Sequence, residues 1–153
     1  MNKNLFIKAL NRNETKDFFL GNGNYFSRNR ESHNHDYVLF ITGWVKEYID
    51  ISPKENLGTF FSALTDLIDD IDCQKNSLTA VLSILLGISI SIRKQHYQMS
   101  DINPEIAHKF LITLKKHFLI CKFSQEEKEK IKLYSDRIRE NKCDKIADAI
   151  SLS

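Results

Sequence analysis

Proline occurs twice and glycine five times in 153 residues. That scarcity excludes collagen-like and low-complexity chains. Cysteine is sparse too: Cys73, Cys121 and Cys143 are odd in number and far apart. They form neither a CxxC pair nor a zinc-finger spacing. Three core thiols in a reducing compartment are the plain expectation. No sign of charge dominates, because 22 Lys and Arg face 20 Asp and Glu for a net of +2. Such a balance does not by itself call for nucleic acid or a membrane. The amino-terminal apolar run is too short and too interrupted by charge to be a signal segment. A cytoplasmic chain is therefore expected.

Enzyme signatures are also missing. The sequence has no GxxxxGK[ST], no GxSxG and no HExxH. Gly21-Asn-Gly23 lacks the third glycine and the preceding strand of a dinucleotide fingerprint. The expectation is a protein that is not an enzyme and needs no cofactor or metal.

What is present is helical period. Apolar residues make up 42% of the chain and charged residues 27%, the mixture of a globular domain. Folding a chain of this size buries roughly two-thirds of its surface, so a full core is within reach. Tyr37, Phe40, Ile41, Trp44, Val45, Tyr48 and Ile49 recur at helical spacing. Leu57, Phe60, Phe61, Leu64, Leu67, Ile68 and Ile71 repeat the pattern behind Ser52, Pro53 and Glu55, a capping box with proline at the first helical position.

From Asn76 to Ile92 the chain carries no charge for 17 residues, near the lower limit for crossing a bilayer. Ser77, Thr79, Ser83, Ser89 and Ser91 make it a buried helix rather than a span. Thr79, Ser83, Gly87 and Ser91 lie four apart, a stripe where a neighbouring helix can approach closely. Ile88 to Ile92 also alternates like a strand, which is the competing reading of that stretch.

Asn103-Pro104 opens a further helix with Ile106, Phe110, Leu111, Leu114, Phe118 and Cys121 inward. Ser124 and Glu127 cap another, with Ile131, Leu133, Tyr134 and Ile138 as its stripe. A short last helix buries Ile146, Ala149 and Ile150. The pattern predicts an all-α fold, one compact bundle of five to seven helices spanning 1–153, with a less regular segment over 1–36.

Histidines offer the remaining chemistry. His33, His35 and Asp36 form a local cluster, read as a polar loop or a partial metal site. His117 and Cys121, one helical turn apart, are either structural or a clamp for a soft metal. Arg28-Asn-Arg-Glu-Ser-His33 resembles the arginine–histidine motif of HEPN-type ribonucleases, small all-α domains. That resemblance implies Arg28 and His33 acting on an RNA phosphate, chemistry suited to both side chains.

Charge distribution says more than any motif. Asp50 to Asp72 holds six acids and one lysine. Asp66, Asp69, Asp70 and Asp72 crowd a helix C-terminus, where the macrodipole is already negative. They either pair with bases of a neighbouring helix or form a patch for a basic partner. Arg93 to Lys122 reverses the sign, with six bases and two acids; Lys109, Lys115, Lys116 and Lys122 make a solvated or phosphate-binding face.

In size, class and charge layout the chain resembles the small all-α immunity proteins of bacterial contact-dependent toxin systems. That resemblance implies a protein-binding inhibitor covering the active site of a basic toxin domain such as a nuclease. Asp66, Asp69, Asp70 and Asp72 would then stand in for nucleic-acid phosphates, with Trp44, Tyr48 or Tyr25 as anchors. The alternative is an RNA-binding module or ribonuclease using Arg28 and His33. No membrane partner is expected.

Overall fold

A computed structural model describes residues 42–43, 45–50, 57–69 and 75–151, with the backbone alone for 75–77, 79 and 80. Of the described residues 86% are helical and none is in a strand. The chain is a compact all-α bundle, as the apolar period requires. After helical residues 45–50 come α1 (Leu57–Asp69), α2 (Lys75–Gln95), a 3₁₀ turn (Met99–Asp101), α3 (Pro104–Ile120), α4 (Gln125–Glu140) and α5 (Asp144–Ile150). The strand reading of Ile88 to Ile92 is corrected, since these residues continue α2 without a break.

Local chemistry sets the helix starts. The Asn103 side chain accepts from the backbone N–H groups of Glu105 and Ile106, and Pro104 takes the first helical position. Ser124 and Glu127 close a reciprocal capping box on α4. The cap expected at Ser52, Pro53 and Glu55 lies outside the described residues.

The helix ends are less ordinary. Past α2, the Tyr97 N–H donates to the Ile92 carbonyl at 3.0 Å and the His96 N–H to that of Arg93 at 3.4 Å. Past α4, the Cys143 N–H donates to Ile138 at 3.3 Å and the Lys142 N–H to Arg139 at 3.0 Å. Both are Schellman closures, whose pivot residue must be left-handed and is usually glycine. Here the pivots are His96 at φ 58° and Lys142 at φ 68°.

The core is aromatic where α1 meets its neighbours. Tyr48 packs on Phe60 at 5.5 Å between ring centroids, and Phe61 meets Phe110 edge-on at 4.9 Å. This row joins residues 45–50, α1 and α3. Phe118 and Leu114 extend it along α3, while Ile131, Ile138, Ile146, Ala147 and Ile150 close the other side. Two expected stripe members are displaced. Leu133 is half exposed because Ile131, Ser135 and Ile138 form the buried line of α4. Ala147 replaces Ala149 as the more buried alanine of α5, in register with Cys143, Ile146 and Ile150.

The small-residue stripe of α2 receives residues 42, 43 and 45–50. The Thr42 hydroxyl donates to the Ser83 carbonyl at 3.2 Å, and the Ser91 hydroxyl donates to the Lys46 carbonyl at 3.1 Å. A Cβ on Gly87 would lie 2.9 Å from the Thr42 carbonyl oxygen and 3.1 Å from Val45 Cβ. Close approach, not turning, explains this glycine. No helix among the described residues is long and apolar enough to cross a membrane.

Candidate functional site

The acidic stretch divides into two parts. Asp50 Oδ2 lies 3.3 Å from Lys94 Nζ, so Asp50 is neutralised by the end of α2. Asp66 and Asp69 are different. Both are exposed on one face of α1, three residues apart, and neither makes an ion pair among the described residues. The last turn of α1 carries no basic residue. Two carboxylates therefore face solvent beside the negative end of a helix dipole. Asp70 and Asp72 lie outside the described residues. Tyr48 is fully buried and is no surface anchor; Trp44 and Tyr25 are outside the described residues, as are Arg28, His33, His35 and Asp36.

On α3 the lysines Lys109, Lys115 and Lys116 are exposed, as is Lys122 beyond it. The sequence reading missed what stands among them. Ile112 is 51% exposed, Leu119 65% and Ile120 64%. Ile112, Lys115, Lys116, Leu119 and Ile120 line one shallow open depression. Their i, i+3, i+4, i+7, i+8 spacing was the available signal: α3 carries a second apolar stripe opposite its core face.

The pair His117 and Cys121 is not a metal clamp. Cys121 is disulfide-bonded, so the expectation of three thiols is corrected there: its sulfur is not available as a thiolate. His117 Nε2 lies 3.8 Å from that sulfur, and burial holds the imidazole below its ordinary pKa. The described residues contain no group of three or more side chains able to hold a metal ion. Cys143 is free and buried, and burial, with the Asp144 charge beside it, pushes its thiol up to about 11.

A third region, which the sequence did not suggest, is a cleft of roughly 670 Å³ between the end of α2 and the turn from α4 to α5. Its mouth carries Arg93, His96, Lys142 and Lys145. One of these is engaged: an Arg93 guanidinium nitrogen donates to the Glu140 carbonyl at 3.3 Å and lies 3.5 Å from Asn141 Oδ1.

Fold and surface thus define a class, a helical bundle whose exposed charge is sorted by region. No known protein family, curated protein or solved structure matches this chain.

Proposed function

We propose that the chain is a non-enzymatic, protein-binding protein, an inhibitor of the immunity type that covers a basic toxin domain. The observation that supports this reading is the exposed pair Asp66 and Asp69 at the end of α1, unpaired among the described residues. Lysine there would favour the helix dipole, and aspartate opposes it. A local cost of this kind is offset when the carboxylates meet a basic surface, where charge steers encounter and selects the partner. Asp70 and Asp72 follow directly in sequence and extend the acidic run.

The apolar stripe on α3 favours protein over nucleic acid as the partner class. Ile112, Leu119 and Ile120 interrupt the lysines, whereas a phosphate backbone rewards unbroken positive charge. Arg28 and His33, the pair on which the ribonuclease reading turns, belong to the undescribed residues and add nothing to it.

The test is purification of the chain from its own host at low salt, wild type beside Asp66→Lys/Asp69→Lys. A basic protein in one-to-one ratio, released by salt and lost with the double variant, is the expected result. Bound RNA with no protein overturns the reading.

A further inference from the structure

We propose that the cleft between the ends of α2 and α4 binds a small organic phosphate with a planar apolar body, of mononucleotide size. This inference is independent of the acidic end of α1. The cleft's volume, roughly 670 Å³, is that of a small-molecule site. Its inner wall is apolar: Ile92 and Cys143 are buried, and Tyr97 and Met99 are half-buried beside them. Its mouth is basic. His96, Lys142 and Lys145 are exposed there with Arg93, and Asp144 is the single acid in the lining. An apolar floor under a cationic rim is matched by a ligand with a flat ring and an anionic head.

The backbone supplies a separate argument. The pivots of both Schellman closures, His96 at φ 58° and Lys142 at φ 68°, belong to this one cleft. Glycine adopts that conformation without the clash that a Cβ brings. Histidine tolerates it better than most residues, lysine less so. At both pivots the chain holds a basic side chain where glycine would be the more stable choice. Strained residues that gather at one concave site mark function. The helix ends themselves explain only part of the charge. Arg93 serves the last carbonyl of α4, that of Glu140, whereas the Lys142 and Lys145 ammonium groups make no ion pair or hydrogen bond within the described residues.

The test uses the full chain with AMP as the probe, and adenosine and inorganic phosphate as controls, followed by calorimetry and by thermal unfolding. AMP is expected to bind, with adenosine and phosphate each weaker by about tenfold or more, the worth of one charge-assisted contact or one stacked ring. Lys142→Gly is expected to raise Tm by about 2–4 °C, as relief of a left-handed lysine should in a chain of this size. The same change is expected to weaken AMP about tenfold. Lys145→Ala, at an exposed side chain, should weaken AMP without lowering Tm. No heat with millimolar AMP overturns the proposal. So does AMP affinity unchanged in both variants, or affinity that falls only in step with lost stability.

Discussion

Gly87 sits in the middle of α2, where glycine costs a helix up to about 1 kcal/mol relative to alanine. His96 stands just past the end of the same helix, in the left-handed conformation that glycine adopts most easily. Local preference would place the two residues the other way round. At Gly87 the deciding fact is a neighbour: the Thr42 carbonyl leaves no room for a methyl group. At His96 the side chain is exposed and lines a cleft. The contrast separates a residue kept for packing from one kept for what its side chain can reach.

Breaking the packed half of the comparison should have the largest effect. Gly87→Ala forces Thr42 and Val45 away from α2 and is expected to destabilise the chain by roughly 1–3 kcal/mol, as overpacking does. Urea unfolding measures it, and an unchanged midpoint would mean that the approach at Gly87 is loose.

Relieving the open half should act in the opposite direction. Lys142→Gly is expected to stabilise by about 1 kcal/mol, and His96→Gly by less, since histidine is better tolerated at positive φ. Thermal unfolding of the two variants side by side tests the order as well as the sign.

A smaller gain is expected from Asp69→Lys, about 0.3–1 kcal/mol, because a cation suits the C-terminal end of α1. The same variant should lose the basic partner, so stability and binding should part company there. If both fall together, Asp69 is structural.

The pH effects vanish at neutrality and appear at either limb. His117 is held below 6.5 by burial, so the unfolded chain takes up its proton first. Stability is then complete above that pH and declines as the pH falls below it. Cys143 is raised from 9.0 to about 11. The unfolded thiol ionises first, and stability should decline as the pH rises from about 9 to 11. Cys143→Ala should lessen the alkaline decline, to which the Tyr134 phenol, raised by burial, also contributes, and His117→Gln should lessen the acidic one.

Much of the fold was legible because helical period and caps are local properties. Asn103-Pro104 and Ser124 with Glu127 could be recognised without knowing any neighbour, and the structure closes both as expected. The stripe Thr79, Ser83, Gly87 and Ser91 announced a close helix contact but not its occupant. Leu133 was misplaced because Leu and Ile look alike to a pattern, while a helix has one buried line and Ser135 lies on it. The acidic run could be seen, but its division could not. Asp50 finds Lys94, 44 residues away in sequence, and Asp66 and Asp69 find no cation among the described residues.

The sequence by itself determined that this chain is built of helices, where several of them start and which faces turn inward, because these follow from neighbours three and four residues apart. Only the tertiary structure decided which charges are neutralised, that α3 keeps a second apolar stripe exposed, and that two left-handed basic residues share one cleft. Those outcomes depend on which helix ends meet in space. Residues 96 and 142 are brought together by the packing of α2 on α4, a relation that no local pattern encodes.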